Sequence, residues 1–489
     1  MGVRVVGGGE REAISGAGLA RVGVGGVGTE AADVGGAREA VSGAGPVGIS
    51  LGGGLRRAFS SAGLAGVRGG AGIGANIEGG ADPGAGAGSK ASGHGAGETP
   101  QVEVHSLGCR LNIAESEALR ALLAGERNLV VVNSCAVTAE AVRQTRQAIR
   151  RARRARPDAR LLVTGCAAEV EREGLAAMAE VDGLVANASK LDPRAWNVPA
   201  RVEPAPKRRT RAFVAVQNGC DHACTFCVIP QGRGPSRSLG VRQVLREVER
   251  HLEQGAPEIV LTGVDVTSWG HDLPGAPRLG GLVRAVLEAF PSLPRLRLSS
   301  VDGVEIDEAL FELIAGEARL MPHLHLSLQH GHDLILKRMK RRHSRGDALA
   351  LVEHLRARRP EIAIGADLIA GFPTEDDAMH QANLSIIREL DIVHGHVFPY
   401  SPRPGTPAAR MRQVDGLTVR RRAAELREAV AAVRGRWLAG LVGRPLRVLA
   451  ERDGSGYSEG FARVAVPQGV AAGSIVPIIP ARLEGGLLA

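Results

Sequence analysis

From Val102 to Tyr400 short apolar runs alternate with longer helix-like stretches, and this alternation admits little besides a parallel α/β architecture. Residues 102–107 (VEVHSL) alternate as a strand and stop at Gly108-Cys109; a helix is predicted over 112–123. LVVVN at 129–133 is a buried strand that stops at Ser134-Cys135, and a helix over 139–156 ends before Pro157. Residues 161–164 form a third strand, which stops at Gly165-Cys166. The unit strand–Cys–helix therefore occurs three times. In an open parallel sheet the C-terminal strand ends line one crevice where ligands bind. Cys109, Cys135 and Cys166 are thus expected to converge although 26 and 31 residues separate them.

Residues 191–211 are rich in Pro and basic side chains and read as a linker. Strands and helices then alternate again. Strands are predicted at FVAVQ from 213 and at 258–264, 295–300, 323–329, 362–372 and 393–400, with helices between them near 241–254, 280–289, 307–317, 346–357 and 376–389. About six β/α units fit a full or partial parallel barrel. A charged helix over 416–438 follows. The tail, 441–489, shows short strand-like runs between Gly-rich turns and reads as a small all-β domain.

The strongest chemical signal lies directly after the first barrel strand, in QNGCDHACTFCVIP at 217–230. Cys220, Cys224 and Cys227 stand as Cys-x3-Cys-x2-Cys on one loop at the mouth of the barrel. A 4Fe–4S cube has four irons, normally one thiolate each, so three ligands leave one iron open. The competing readings are a zinc site, which usually wants four ligands and finds only His222 nearby, and inert buried thiols.

The first hundred residues differ in kind. They hold 32 of the 66 Gly, no Cys, Trp or Tyr, and a single Phe, Phe59. Such a segment buries too little apolar surface to offset its ordering entropy and is expected to be disordered. The alternative is that it is not made: the next Met after Met1 is Met178, so a start near Val102 would need a non-AUG codon. It has neither a signal-peptide nor a transit-peptide layout. No run is apolar enough to span a membrane, so a cytoplasmic chain is expected. All six Cys fall beyond residue 100, as does the whole excess of the +9 net charge. In a large chain without a signal peptide, metal-binding or catalytic thiols are expected over disulfides. The positive excess suits a polyanion.

The loop at 217–230 resembles the radical S-adenosylmethionine (SAM) superfamily motif. The resemblance implies that the open iron chelates SAM and that an electron cleaves it to a 5′-deoxyadenosyl radical. It also points to strand-end residues Thr262, Gly263, Ser299, Ser300 and Gln329, with Asp367 ahead of Gly371-Phe372-Pro373, as cofactor contacts; each is equally at home as a turn or a buried polar group. GCRLN at 108–112, NSCAVT at 133–138 and TGC at 164–166, ahead of this loop, resemble the methylthiotransferases from about 101 to the C-terminus. That resemblance implies a methylthiotransferase N-terminal domain (101–200), a radical SAM barrel (206–438) and a TRAM-like domain (441–489), the last with few aromatics. It further implies an auxiliary [4Fe–4S] cluster on Cys109, Cys135 and Cys166 beside the SAM-binding one. NSCAVT and HVFPYSPRPGTPAARM (396–411) are most similar to the MtaB-type branch, which modifies N6-threonylcarbamoyladenosine at tRNA position 37. Ser134 replaces a common Thr, and the stretch between Cys109 and Cys135 is short for the family.

The predicted helix at 139–156 supplies the polyanion site. Arg143, Arg146, Arg150, Arg153 and Arg154 share a face at 100° per residue, with Val142 and Ile149 roughly opposite. Such a stripe suits tRNA phosphates, with a solvated face as the plain alternative; Lys207–Arg211 and Arg420–Arg422 add two smaller basic clusters. The expected protein is a monomeric, cytoplasmic tRNA methylthiotransferase that needs an electron donor such as a flavodoxin or ferredoxin and a sulfur source. Its alternatives are a sister enzyme acting on isopentenyladenosine or on a ribosomal protein, and a non-catalytic Fe–S RNA-binding protein.

Overall fold

The computed structural model describes residues 102–199 and 209–489. The segment 1–100 read as disordered, the middle of the linker, and Lys207 and Arg208 of the basic cluster lie outside the described residues.

Four parallel strands, β1 (Glu103–Ser106), β2 (Leu129–Ser134), β3 (Arg160–Gly165) and β4 (Gly183–Leu184), form the first sheet in sequence order. Helices α1 (Arg110–Leu122) and α2 (Ala139–Ala155) cover it, and the short α3 (Cys166–Val170) and α4 (Arg172–Ala176) follow β3. Strand β2 is central and its six residues are all buried. Val130 and Val132 pack with Val142, Ile149 and Ala152 of α2, while Leu129 and Val131 pack with Leu119 of α1. Burial on both faces is why LVVVN reads as a continuous apolar run rather than an alternating one. Thr138 caps α2 by accepting from the Ala141 amide at 3.1 Å. The register pairs Ser106 with Asn133 and Asn133 with Thr164, so the three strands end at one level.

The second body is built on six parallel strands: β5 (Arg211–Ala215), β8 (Glu258–Thr262), β9 (Arg295–Leu298), β10 (His323–Gln329), β11 (Ala363–Ala370) and β12 (Ile392–Pro399). Two ladders, β5-β8-β9 and β10-β11-β12, are joined by parallel bridges at Leu296–Leu320 and Val301–Leu326. Among the described residues no ladder joins β12 back to β5, so the barrel is partial. A two-stranded ribbon of β6 (Gln217–Asn218) and β7 (Arg237–Ser238) brackets the Cys loop, with α5 (Ile229–Arg233) inside it. Helices α6 (Val241–Glu253), α7 (Leu279–Ala289), α8 (Glu308–Gly316), α9 (Asp333–Arg338), α10 (Arg345–Arg358) and α11 (Asp377–Glu389) connect the strands, and the long α12 (Gly416–Ala439) leads to the tail. The tail is one sheet of β13 (Leu446–Ala450), β14 (Ser455–Tyr457), β15 (Arg463–Ala465), β16 (Ile475–Ile478), β17 (Leu483–Glu484) and β18 (Leu487–Leu488).

That tail closes the N-terminal end of the barrel. Arg297 donates to the carbonyls of Ser458 and Glu459 at 3.0 and 2.7 Å, and Arg295 to that of Tyr457 at 3.2 Å. The His394 Nε2 is 2.9 Å from the Gly460 carbonyl. Phe461 meets the Arg297 guanidinium at 3.9 Å and the His323 ring at 4.9 Å. Glu258, buried at the start of β8, is 3.0 Å from Arg297 and 3.6 Å from Arg295 and ties the same corner together.

Candidate active site

All three strand–Cys junctions lie where the shared register predicts. Cys109 caps the start of α1, Cys135 follows β2 by one residue, and Cys166 opens α3. Gly108 lets the first two approach. Its φ is +93°, and a Cβ there would sit 2.6 Å from the Cys135 Cβ and 2.8 Å from its Sγ. Gly165, at φ +92°, repeats the device against the Ser134 backbone. Asn112 fixes the loops by donating to the Leu107 carbonyl at 2.5 Å and the Ser134 carbonyl at 3.0 Å. Burial pushes the Cys135 thiol up to about 12, and the charges of Cys166 and Cys109 add to the rise. Burial likewise raises Cys166, which Arg233 opposes. These are thiols close enough to repel one another as thiolates, which is the electrostatic condition a shared cation relieves.

The second triad sits on the loop after β6. The Cys220 amide donates to the Gly234 carbonyl at 3.1 Å, the Cys227 amide to the Cys224 carbonyl at 3.3 Å, and the Ile229 amide approaches the Cys227 Sγ at 3.4 Å. Burial, with a smaller contribution from the neighbouring Cys224, lifts both the Cys220 and Cys227 thiols to about 12. Arg341 points a guanidinium nitrogen at the Cys224 Sγ, 3.6 Å away. His222 is ion-paired with Asp265 at 2.5 Å and lies 3.0 Å from Arg342, and with Cys220 and Asp265 it forms a compact set of possible metal ligands.

The segment that follows the second triad packs on the first. Helix α5 starts two residues after Cys227 and lays Gly232 against Cys166, where a Cβ would be 3.2 Å from the Cys166 Cβ. Asn187 donates to the Gly232 carbonyl at 2.5 Å from the other side.

Thr262 is buried at the end of β8, and Gly263 follows it against Gln217, whose Oε1 lies 2.8 Å from where a Cβ would be. Ser299 and Ser300 follow β9; the Ser299 Oγ is buried with no hydrogen-bond partner among the described residues. Gln329 ends β10 at φ +68°. Asp367 lies inside β11, three residues before its end, between two imidazoles: His325 Nε2 and His396 Nδ1 each approach its Oδ1 at 3.1 Å. Burial alone would raise this carboxyl, but the two histidines hold it far below the ordinary range. Gln217 escaped the sequence reading. Its Oε1 accepts from the amides of Val264 and Asp265 at 3.0 Å each, tying the Cys loop to the end of β8. A lone Gln before a Cys motif carries no pattern that would have revealed it.

The arginine stripe of α2 divides. Arg143 pairs with Glu140, Arg146 with Glu171 at 3.4 Å and Arg150 with Glu180 at 3.7 Å, while Arg153 bonds Asp182 and the Glu180 and Ala159 carbonyls. Apart from Glu140 on the helix's own first turn, these acids come from the segments flanking α4, Glu171 before it and Glu180 and Asp182 after it. Arg154 and Arg151 remain exposed without an acidic partner among the described residues, and with Gln147 and Arg150 they line a shallow depression.

A model of the radical SAM superfamily matches residues 214–384, and one of the uncharacterized protein family UPF0004 matches 101–186. The threonylcarbamoyladenosine tRNA methylthiotransferase MtaB of Rickettsia prowazekii (strain Madrid E) is 41% identical over 404 residues, covering 79% of this chain and 96% of that protein. The chain belongs to the radical SAM methylthiotransferase family. Two further relatives are the MtaB of Thermotoga maritima, at 32% over 377 residues, and a tRNA-2-methylthio-N(6)-dimethylallyladenosine synthase of Erythrobacter litoralis, at 34% over 389 residues. Each match covers 72% of this chain and 86% of the relative. A methylthiotransferase of this family uses SAM and two [4Fe–4S] clusters. Two sets of three free thiols, each set near enough to interact electrostatically, fit that requirement. Among the described residues no helix of this methylthiotransferase is long and apolar enough to cross a membrane.

Proposed function

We propose that the chain converts N6-threonylcarbamoyladenosine at tRNA position 37, next to the anticodon, to its 2-methylthio derivative. The observation that carries this reading is the packing of Gly232, on α5 just beyond Cys227, against Cys166. In it Cys220, Cys224 and Cys227 hold the SAM-binding cluster, and Cys109, Cys135 and Cys166 hold the auxiliary one. When bound, these groups and SAM supply a hydrogen-abstracting radical and a methylated sulfur. The chain's own residues position the reactants. Thr262, Gly263, Ser299, Ser300 and Gln329 stand at strand ends facing the cofactor side, and Gln217 fixes the loop to β8. Asp367, locked between His325 and His396, keeps an ionised hydrogen-bond acceptor in the barrel interior. The tail closes the barrel floor against water.

The threonylcarbamoyl substrate is favoured by the 41% identity to an MtaB and by NSCAVT at 133–138. Unpaired anticodon-loop bases are splayed out at modest cost, which suits a barrel reached only from its mouth. The tRNA backbone lies along α2, held by Arg150 and Arg154 together with Arg151, with Arg143 and Arg146 at the margin. The sheet at 441–489 is a short TRAM-like domain, after the N-terminal domain at 101–200 and the barrel at 206–438. The enzyme works as a cytoplasmic monomer with a flavodoxin- or ferredoxin-like electron donor and a separate sulfur source.

Cys220→Ala should abolish SAM cleavage, whereas Cys109→Ala should spare cleavage and abolish sulfur insertion. Mass spectrometry of tRNA nucleosides from a deletion strain should show loss of 2-methylthio-N6-threonylcarbamoyladenosine. Loss of the isopentenyl derivative instead would refute the substrate, and absence of 5′-deoxyadenosine formation by the reconstituted protein would refute catalysis.

A further inference from the structure

Three charged side chains are sealed between the two triads. Glu115 of α1, Lys190 and Arg233 of α5 are each no more than 3% exposed at the side chain. Arg233 grips Glu115 with both terminal nitrogens, at 2.8 and 3.1 Å, and also bonds the Asn112 and Asn218 side-chain oxygens. Lys190 pairs with the other side of the same carboxylate and reaches the Asn133 Oδ1 at 3.3 Å. Burial alone would raise the Glu115 carboxyl, but Lys190 and Arg233 outweigh it and keep it ionised. Burial and the Arg233 charge lower the Lys190 ammonium against the pull of Glu115; with Lys190 protonated the group holds two cations and one anion, a buried surplus of one positive charge.

A surplus of this kind is costly unless something nearby answers it. The auxiliary thiols lie beside it: Gly232, directly before Arg233, packs against Cys166, Arg233 bonds Asn112 three residues after Cys109, and Lys190 bonds Asn133 two residues before Cys135. Three thiolates around a cube whose core carries about two positive charges leave about one negative charge in the oxidised state. We infer that Arg233 and Lys190, offset by Glu115, form the built-in counter-charge of the auxiliary cluster on Cys109, Cys135 and Cys166, and so set its reduction potential. Because Arg233 follows Cys227 by six residues on the same loop, folding of the SAM-binding loop delivers this charge to the other site.

The inference rests on the ligand assignment proposed above and is tested separately from it. In the full chain carrying Cys220→Ala, Cys224→Ala and Cys227→Ala, anaerobic reconstitution should leave one cluster. Its midpoint potential is read by an EPR-monitored redox titration. Adding an electron makes the site more negative, so Arg233→Gln should lower the potential, Arg233→Lys should lower it less, and Glu115→Gln should raise it. A merely structural clamp would lower cluster occupancy in all three variants without moving the potential in opposite directions. Equal potentials, or shifts of the same sign for Arg233→Gln and Glu115→Gln, overturn the inference. Should both Arg233 variants lose the cluster, Glu115→Gln decides: a raised potential supports the counter-charge, and an unchanged, lowered or absent signal refutes it. A chain without iron when Glu115 and Arg233 are intact overturns the ligand assignment and the inference with it.

Discussion

Gly108→Ala is the sharpest single test of how the auxiliary thiols are brought together. At φ +93° a residue with a Cβ carries a backbone penalty of about 1–2 kcal/mol. The new methyl would also lie 2.6 Å from the Cys135 Cβ and 2.8 Å from its Sγ, so the Cys135 loop must shift. Overpacking of that kind costs about 1–3 kcal/mol. The sum, about 2–5 kcal/mol, is small enough for a large chain to remain folded. It is concentrated on one ligand loop, where it should displace the Cys135 sulfur rather than melt the protein. After anaerobic reconstitution the variant should carry iron and sulfide for about one cluster per chain instead of two. It should still cleave SAM to 5′-deoxyadenosine and should make no methylthiolated product. Gly125→Ala is the control: no atom lies within 4 Å of a Cβ at that site, and cluster content should match the parent. A Gly108→Ala protein with two clusters per chain and an unshifted melting temperature would refute the argument.

Glu258 is the buried anion between Arg295 and Arg297, so Glu258→Gln should cost about 3–5 kcal/mol in chemical denaturation, and a loss below about 1 kcal/mol would show that the tail carbonyls satisfy both arginines alone. The thiols of Cys135, Cys220 and Cys227 rise from 9.0 to about 12 on folding. Between those values the unfolded chain releases protons that the folded cluster-free chain retains, so stability of that form falls as pH rises above about 9. The urea midpoint of the cluster-free protein should therefore drop from pH 9 upward, while that of the loaded protein, whose thiols have already lost their protons to the metal, changes less; a flat cluster-free profile would contradict the burial. Replacing Arg151 and Arg154 with Glu should weaken tRNA binding and flatten its salt dependence by about 1–2 in logarithmic slope. Arg143→Glu, next to Glu140, should do less, and equal effects would restore the whole stripe as the contact.

The local features of this chain were readable because their physics is local. The Cys-x3-Cys-x2-Cys loop, the Gly-Cys ends of β1 and β3, and the strand–helix alternation are each settled within a dozen residues, and the expected helices start and stop within two or three residues of expectation, whereas the short α3, α4, α5 and α9 were not foreseen. What the linear pattern does not carry is pairing across distance. Glu115 and Arg233 are 118 positions apart and look like ordinary surface charges on amphipathic helices. The α2 stripe looked uniformly free because Glu171, Glu180 and Asp182, its partners, belong to later segments. The HVFPYSPRPGTP stretch served as a family marker. Its structural work is to dock on the N-terminal domain, where the Ser401 hydroxyl accepts from the Ala139 amide at 3.1 Å and Arg403 pairs with Glu171 at 2.9 Å.

The barrel strands contain a further pattern whose sense reverses the usual one. RLRL, HLHL and IVHGHV alternate, and alternation ordinarily means a polar face toward water. Here Leu296, Leu298, Leu324, Leu326, Val393 and Val397 form the core with the surrounding helices, so the charged and imidazole side chains turn into the lumen. Arg297, His323, His325, His394 and the Asp367 between its two histidines line that interior. An apolar lumen would be filled by its own side chains, as in fully closed barrels. A lumen of hydrogen-bonded polar groups is instead held at fixed width by pairs such as Arg297–Glu258 and His325–Asp367, which cannot collapse without breaking buried ion pairs. Above Arg297, His323 and His394, which the tail engages, the His325–Asp367–His396 group offers polar atoms to whatever enters from the mouth. That combination of rigidity and polarity is what an enzyme needs to receive an extruded nucleobase and hold one ring carbon in a fixed place.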